Sequence, residues 1–409
     1  MFVFWIALSL LVYLYFGYPL VAWIRAKLWP RAHQRGTAEP TVTVIVVAHD
    51  EEHRIGSRLD NLLLLDYPRE KLEILLASDG STDGTVERAR QYEDVGVQVR
   101  AFPNRRGKPA VLNDVVPSAR GEIVVLADAR QRFDRDAIRA LVANFADPVV
   151  GAVSGELMLA PTGGATIGKG TCFYWRYEKF IRRSESRTNS TVGATGAIYA
   201  IRRTLFAPIP HDTILDDVLI PLGIIRRGYR VCLESAARAY DASPATSHDE
   251  FIRKVRTIAG TFQLFARERW LFDPLRNPLW FETMSHKALR LAAPFLQLFL
   301  FAANFALADL LFFRCLLAAQ MVFYAAALGG YAHRHRRHRL YVLTVPYALC
   351  VLNWAAIVGF ARFLTGQQRV TWEQVASTAL ASPPTRSWWA DPAKGRNRWA
   401  RVMKAGLRP

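Results

Sequence analysis

Cysteine is scarce in this chain. The four cysteines among 409 residues are Cys172, Cys232, Cys315 and Cys350, and no two of them form a CxxC pair. A disulfide-stapled scaffold, a zinc ribbon or a redox dithiol would need cysteines in closer or paired spacing, so these classes are excluded. A reducing, cytoplasm-facing environment is expected for the folded part.

Acidic residues are also few, 35 Asp and Glu against 53 Lys and Arg, which leaves a formal net charge of +18. The 51% hydrophobic content excludes a disordered or collagenous chain. We interpret the basic excess as membrane-flanking charge plus pockets for an anionic substrate. Phe262–Phe281 mixes aromatic and basic side chains, but nothing else supports nucleic acid as a partner, so none is expected.

Long uncharged runs stand at both ends of the chain. Met1–Ile24 can cross a hydrocarbon core of about 30 Å and lacks the features of a cleaved signal peptide, so we predict an uncleaved anchor. Leu291–Ala332 carries only Asp309 and Arg314, placed where a hairpin would turn, and Leu340–Phe360 is a further uncharged run. About four membrane spans are predicted, with buried helices of a soluble protein as the alternative.

Basic residues in short flanks orient the spans. Those that follow the first span are Arg25, Lys27, Arg31 and Arg35. They predict a multi-pass protein of the inner (cytoplasmic) membrane with its polar block inside. The run His333–Arg339 (HRHRRHR) fits a loop at anionic lipid better than a metal site, because its arginines repel a cation. Three further spans would carry the carboxyl terminus outside, whereas the basic tail after Trp372 favours the inside, so its side stays open.

Between the spans, apolar β-branched runs alternate with segments of helical periodicity. The predicted strands are Thr43–Ala48, Leu72–Ala77, Val97–Phe102 and Glu122–Ala127, and the predicted helices are Ser57–Leu65, Thr85–Tyr92 and Lys108–Val116. This alternation is typical of βαβ units with a parallel sheet, and hence of a nucleotide-binding α/β domain. Ligands of such sheets bind at the carboxyl ends of the strands.

Carboxylates stand at two of those strand ends. Asp79 is the second residue of SDGSTDGT (Ser78–Thr85), and Asp128 lies in ADAR (Ala127–Arg130). A calcium loop is disfavoured, because Arg90 stands where a bidentate Glu is required. A plain turn remains an alternative for a segment so rich in Asp, Gly, Ser and Thr.

Six motifs follow one another along the chain: TVTVIVVAHDEE (Thr41–Glu52), SDGSTDGT, NRRGKPAVLND (Asn104–Asp114), VVLADA (Val124–Ala129), GATGAIYAIRR (Gly193–Arg203) and ILDDVLI (Ile214–Ile220). In order and spacing they resemble the family-2 glycosyltransferases over about Thr41–Gly260. The flanking spans resemble those of the membrane-embedded synthases of hyaluronan, chitin-oligosaccharide, cellulose and poly-N-acetylglucosamine type. The resemblance implies the GT-A fold, an α/β domain with a mixed, mainly parallel sheet.

The predicted organisation follows from the spans and the motifs together. The segments are an anchor at 1–24, a cytoplasmic GT-A domain at 25–260, amphipathic interface helices at 261–290, about three spans at 291–365 and a basic tail at 366–409.

For the donor, the resemblance assigns Asp79 to the uracil ring, and a carboxylate suits an N–H donor. Ala48 and Glu51 fall where the family holds the nucleoside, and Lys108 where a cation approaches the base or the diphosphate. On residue type alone, Lys108 could equally be an ordinary surface lysine.

Asp128 matches the first position of the metal-binding DxD motif, which implies Mg²⁺ or Mn²⁺ on the diphosphate. The second acidic position is Arg130 here. One carboxylate with phosphate oxygens and water can still hold the ion, or Arg130 itself supplies charge to the diphosphate.

For catalysis, Asp216-Asp217 stands in place of the family's ED pair, which makes Asp217 the general base and Asp216 its neighbour. A pair of helix-capping aspartates is the alternative. The segment Gly193–Gly196, which includes Thr195, is expected to line the acceptor site, because its glycines leave room for a sugar.

The QxxRW segment of processive synthases corresponds to Arg253–Thr257. Arg256 keeps the phosphate-binding charge, while Arg253 replaces Gln and Thr257 replaces Trp. A charged amphipathic face on an interfacial helix is the competing interpretation. Loss of the tryptophan disfavours long-chain synthesis.

The sequence as a whole predicts an inverting glycosyltransferase that moves a sugar, expected from a UDP-sugar, to a growing glycan or a lipid-linked acceptor. The alternatives are single addition to a polyprenyl phosphate or other lipid, and a catalytically inactive membrane scaffold. About four spans are few for a polar tunnel, so a short product, or a tunnel completed by a partner subunit, is expected.

Overall fold

A computed structural model describes residues 1–160, 168–242, 247–333 and 340–368. Most of the run His333–Arg339 and nearly all of the predicted tail 366–409 lie outside these residues.

The strands of the described part form one eight-stranded sheet in the order β3-β2-β1-β4-β7-β6-β8-β5. They are β1 Val42–Ala48, β2 Leu72–Asp79, β3 Val97–Phe102, β4 Ile123–Asp128, β5 Arg132–Phe133, β6 Val150–Ala160, β7 Ile198–Arg202 and β8 Arg230–Ala242. Strands β3, β2, β1 and β4 are parallel, β7 runs antiparallel to β4 and β6, β6 and β8 are parallel, and β5 is antiparallel to β8. The mixed, mainly parallel sheet is therefore as predicted.

The helices of the described residues fall into two sets. Those around the sheet are α3 Glu52–Leu63, α4 Thr85–Arg90, α5 Lys108–Ser118, α6 Ala137–Val142, α7 Gly168–Thr188, α8 Asp216–Arg226 and α9 Ser247–Arg267. Those flanking the sheet domain in the sequence are α1 Phe2–Val12, α2 Tyr18–Leu28, α10 Trp280–Glu282, α11 Leu289–Ala306, α12 Leu311–Ala332 and α13 Tyr341–Leu364.

Apolar side chains cover both faces of the sheet. In β1, Val44 and Val46 join one core cluster, while Ile45 and Val47 join the cluster on the opposite face. Burial on both faces is why the central strands are continuous apolar runs rather than alternating ones.

The four predicted apolar strands and three predicted helices are all present, but α3 begins earlier than predicted. The polar segment Asp50–Arg54 has no apolar periodicity, yet α3 starts at Glu52 instead of Ser57. Its first amides find acceptors outside the helix: the Glu51 N–H donates to Thr85 Oγ1 (2.8 Å) and the Glu52 N–H to Asp83 Oδ2 (3.1 Å). A helix start capped by a neighbouring loop cannot be predicted from local pattern.

Among the residues that the structure describes, four helices are long and apolar enough to cross a membrane, as predicted: Phe2–Leu28, Trp280–Ala306, Leu311–Ala332 and Val342–Leu364. The hairpin predicted at Asp309 and Arg314 is also present, because α11 ends at Ala306 and α12 begins at Leu311. Arg314 closes this turn by donating from Nε to the carbonyl of Ala308 (3.0 Å).

Three of the predicted segment boundaries fall inside helices. Residues 24 and 25 lie within α2, 260 and 261 within α9, and 290 and 291 within α11. The predicted interface segment 261–290 contains the end of α9, short helical turns, α10 and the first two residues of α11. Its Glu282 accepts a hydrogen bond from Arg25 (2.7 Å) and so connects the segment to the end of α2.

Candidate active site

The candidate site lies where the parallel strands β1, β2 and β4 end. Asp79 and Asp128 are the last residues of β2 and β4. Lys108 begins α5, and Asp216 and Asp217 begin α8. Parallel strands that end at one sheet edge place these groups in a common crevice.

Two loops at this edge brace each other. His49 Nδ1–H donates to the carbonyl of Asp79 (2.8 Å), and the Thr82 N–H donates to Asp50 Oδ1 (2.6 Å). The predicted nucleoside-binding residue Ala48 ends β1 and is fully buried, while buried Glu51 forms an ion pair with Arg54 (3.0 Å).

Asp79 has a role that the sequence analysis did not predict. Its two carboxylate oxygens accept the backbone N–H groups of Arg106 (2.7 Å) and Gly107 (2.8 Å), and the residue is 1% exposed. Asp79 therefore holds the loop that leads into α5. Contact of this carboxylate with a base stays a prediction.

Gly80 is required by the same loop contact. Its φ is +62°, and a Cβ there would lie 2.3 Å from the backbone nitrogen of Arg105. We expect Gly80→Ala to lower the free energy of unfolding by about 2 kcal/mol or more, because left-handed strain adds to a backbone clash. Thermal unfolding in detergent micelles would measure the effect.

Gly223→Ala is the matched control, because Gly223 lies in α8 with open space around its Cβ position. That variant should keep or slightly raise the unfolding temperature. An unchanged unfolding temperature for Gly80→Ala would contradict the assigned loop contact.

Lys108 forms ion pairs with two carboxylates of the predicted site. Its Nζ lies 2.9 Å from Asp128 Oδ1 and 3.3 Å from Asp216 Oδ2. Burial by itself would lower the pKa of Lys108, but Asp128 and Asp216 more than offset that effect and raise it. Burial likewise opposes ionisation of Asp128, yet Lys108, with Arg130 and Arg256 nearby, lowers the pKa of Asp128. Both groups are therefore charged at neutral pH.

Helix α9 brings its arginines to this crevice. Burial lowers the pKa of Arg253, and nearby Arg130 lowers it further, while the charge of Arg256 acts on Asp128. Arg256 also donates to the carbonyl of Ile214 (3.4 Å), and Arg130 lies 3.8 Å from Asp241. Arg130 and Arg256 near Asp128, with Arg253 beside Arg130, suit a diphosphate, which arginine binds through its planar fork.

Asp217 has the environment of a general base. Its Oδ2 accepts the Gly196 N–H (3.0 Å), and its backbone carbonyl accepts the Ala194 N–H (2.7 Å). Burial and then the neighbouring carboxylate of Asp216 raise the pKa of Asp217 to about 6, while Lys108 opposes the shift. A base with a pKa near the working pH can take a proton and release it again.

The predicted acceptor segment contacts Asp217. Gly193 has a φ of +93°, and a Cβ at Gly196 would lie 3.0 Å from Asp217 Oδ2, so a larger residue there would crowd the carboxylate. Thr195 between them accepts a hydrogen bond from Arg182 of α7 (2.7 Å).

Several residues near the site were not found by sequence analysis. They are Asp241, Arg182, Ser154 and Arg58. Arg58 is buried beneath the Phe133 ring (4.1 Å), and burial lowers its pKa to about 9. None stands in a recognisable motif. The one available signal was Arg58, a charged residue among the apolar positions of helix α3, and an arginine on a helix ordinarily lies on the solvated face.

A divalent ion fits this site only together with its substrate. In the part of the chain that the structure describes, no group of three His, Cys, Asp or Glu side chains could hold a metal. Asp128 is about a third exposed, with one carboxylate oxygen on Lys108. The available donor is thus one carboxylate, and phosphate and water oxygens would complete the hard-oxygen shell that Mg²⁺ or Mn²⁺ prefers.

Known proteins resemble this chain in sequence and in fold. The sequence profile of "Glycosyl transferase family 2" matches residues 43–209. The chain carries a family-2 glycosyltransferase domain. The match begins in β1 and ends beyond β7, so it includes Asp79, Lys108, Asp128 and the acceptor segment but not Asp217.

Among curated proteins, the poly-beta-1,6-N-acetyl-D-glucosamine synthase of Staphylococcus aureus is 26% identical over 233 residues, or 56% of each chain. The probable glycosyltransferase YdaM of Bacillus subtilis is 23% identical over 258 residues, 57% of this chain and 60% of YdaM. The aligned part thus spans little more than half the length of these relatives.

Among solved structures, the mannosyltransferase PcManGT from Pyrobaculum calidifontis, in complex with GDP-Man and Mn²⁺, is 27% identical with a TM-score of 0.68. The match covers 89% of this chain and 99% of PcManGT. The GT-A fold is confirmed, and the four apolar helices among the described residues fit the predicted membrane-embedded form.

Proposed function

We propose that this chain is an inverting glycosyltransferase that transfers a sugar from a nucleotide-sugar donor to a glycan or lipid-linked acceptor at the cytoplasmic face of the membrane. The observation that carries the proposal is Asp217: a partly buried carboxylate with a raised pKa, which accepts the Gly196 N–H of the acceptor segment and adjoins Asp216 of the Lys108 ion pair.

The chemistry follows from the positions of the charges. The acceptor oxygen forms a bond to the anomeric carbon as the bond from that carbon to the diphosphate oxygen breaks, and the acceptor proton passes to Asp217. Arg130, Arg253 and Arg256 would bind the departing diphosphate, whose negative charge grows as the bond breaks. A divalent ion on Asp128, when bound, would supply further positive charge to the same oxygens.

Lys108 would keep the two carboxylate sites from repelling each other. Its ammonium lies between Asp128 and Asp216, so two negative charges are balanced before the diphosphate arrives. This position also gives the ion a competitor for one oxygen of Asp128.

A UDP-sugar is proposed as the donor, because Asp79 matches the residue that binds the uracil ring in the family. The relatives point to different donors, because one is named for an N-acetylglucosamine polymer and another binds GDP-Man. Mass spectrometry of products formed from a panel of UDP- and GDP-sugars by the purified full chain would test the proposal. Failure to consume any of them, with the chain folded, would refute it.

Addition of one or a few sugars is the second part of the proposal. Thr257 replaces the tryptophan of the processive motif, so no aromatic ring stands at this position to stack on a sugar. The Thr257 Oγ1 donates instead to the carbonyl of Arg253 within α9 (2.9 Å). Long polymer made by the purified chain alone would contradict a short product.

The pH dependence should report Asp217. Because the base acts in its ionised form, we expect kcat/KM to rise with pH through about 6 and to fall about tenfold per pH unit below it. Asp216→Asn should move this limb to lower pH, since the charge of Asp216 helps to raise the pKa of Asp217. Initial rates between about pH 5 and pH 8 would measure both profiles.

Asp94→Asn is the control for that series, because Asp94 is exposed in a turn before β3. The acidic limb of the kcat/KM profile of Asp94→Asn should coincide with that of the wild type. A limb that stays in place in Asp216→Asn would contradict the assignment of the profile to Asp217.

A further inference from the structure

Helix α7 joins the acceptor segment to the membrane helices. Glu178 lies 3.0 Å from His286 Nε2 and 2.6 Å from Arg290 Nη1, at the start of the second candidate span. One helical turn later, Arg182 contacts the acceptor segment. The described side chains of α7 therefore extend from the membrane boundary to the candidate acceptor site.

The Arg182 guanidinium is held only by neutral groups. Nη1 donates to Thr195 Oγ1 (2.7 Å) and Nη2 to Ser154 Oγ (3.0 Å), with the carbonyl of Gly193 at 3.5 Å. Among the described residues, no carboxylate forms an ion pair with this side chain. A partly buried guanidinium without a counter-charge is costly unless an anion joins it.

The nearby carboxylates already have other partners. Arg182 and Thr195 line one cleft with Glu156, Glu178, Trp175 and Leu233. Glu156 binds Lys179 (2.9 Å) and Arg183 (2.9 Å). Burial would raise the pKa of Glu156, but the contacts with these two cations outweigh that effect and lower it. Glu178 is balanced by His286 and Arg290 in the same way. Each carboxylate thus faces two cationic or potentially cationic groups, and the charge of Arg182 is not cancelled.

The cleft is also close to the base. Thr195, which binds Arg182, directly precedes Gly196, whose N–H binds Asp217. Thr195 and Gly196 are neighbours in the chain, about 3.8 Å apart at Cα, so the contact of Arg182 and the contact of Asp217 fall on adjacent residues of the acceptor segment.

We propose that the acceptor carries a phosphate group and that Arg182 binds this phosphate while an acceptor hydroxyl faces Asp217. Guanidinium groups bind phosphate through paired N–H donors, and the hydroxyls of Ser154 and Thr195 orient the fork. The phosphate is a recognition group rather than the nucleophile, because a phosphate oxygen is already ionised at neutral pH and needs no base. This inference rests on the proposed function and names its acceptor class.

A lipid-linked phosphate is the favoured source, because the other end of the cleft adjoins the membrane boundary through Glu178 and Arg290. A soluble sugar phosphate has the same chemistry. Four probes separate the sources: farnesyl phosphate, glucose 1-phosphate, farnesol and methyl glucoside, each titrated against the full chain in detergent micelles.

The wild type should bind the two phosphates at least tenfold more tightly than their neutral counterparts, and Arg182→Gln should remove that preference. UDP affinity should stay within about twofold in the variant, because the diphosphate is assigned to the arginines near Asp128 and not to Arg182. Tighter binding of farnesyl phosphate would assign the lipid source, and tighter binding of glucose 1-phosphate the soluble one.

Arg182→Lys and Arg187→Gln complete the design. The lysine variant keeps the charge and should retain part of the phosphate preference, whereas Arg187 is exposed on the same helix and its variant should behave as the wild type. Equal binding of phosphate and neutral probes by the wild type, or an equal loss for both classes in Arg182→Gln, would overturn the proposal. Failure of donor hydrolysis in the wild type would instead refute the proposed function.

Discussion

Asp217→Asn is expected to lower kcat by about 10² or more, the effect of removing a positioned general base. An amide keeps the size of the carboxylate but cannot take the acceptor proton. Donor affinity should change little, because the diphosphate is assigned to Arg130, Arg253, Arg256 and Asp128. Turnover and UDP binding measured on the same preparation would separate the two effects.

The structure also requires a folding check for this variant. Asp217 accepts the Gly196 N–H, and an asparagine can keep that bond through its carbonyl oxygen. Unfolding temperature should therefore stay near that of the wild type and of Asp94→Asn. Retained turnover in folded Asp217→Asn would remove Asp217 from the base role.

Removal of divalent metal is expected to lower activity by a factor of about 10² or more, because the diphosphate loses a cation that shares its developing charge. The measurement is turnover after chelation with EDTA, followed by Mg²⁺ or Mn²⁺. Asp128→Asn should weaken the response to added metal, since Asp128 is the acidic residue assigned to the ion.

An alternative outcome has a structural basis. Arg130 and Arg256 lie near Asp128, Arg253 lies near Arg130, and Lys108 already occupies one oxygen of Asp128. Full activity in the chelator would mean that these cations balance the diphosphate by themselves. In that case Arg130→Gln should cause the large loss that chelation does not.

Some of the site could be predicted from sequence because motif residues are local. Asp79 and Asp128 end apolar runs, and a parallel sheet brings such ends together whatever the remaining structure is. The contacts of Lys108 could not be predicted in this way. A lysine at this position could contact the base, the diphosphate or solvent. Its ion pairs with Asp128 and Asp216 depend on where α5 and α8 begin relative to β4.

The environment of Asp217 was equally out of reach. The motif implied a base, but the raised pKa arises from burial and from the position of Asp216, and neither can be read from two adjacent aspartates. Arg182 gave no signal at all, because an arginine on a helix is ordinarily a solvated residue.

The amino-acid sequence by itself determined the alternation of strands and helices, the four apolar spans and the order of the motifs, because each depends on periodicity or composition within a short window. Tertiary structure alone decided which charges meet. Arg182 reaches Thr195, Lys108 reaches Asp216, and Glu178 reaches His286 across wide separations in the chain, and such contacts depend on packing geometry rather than on local preference.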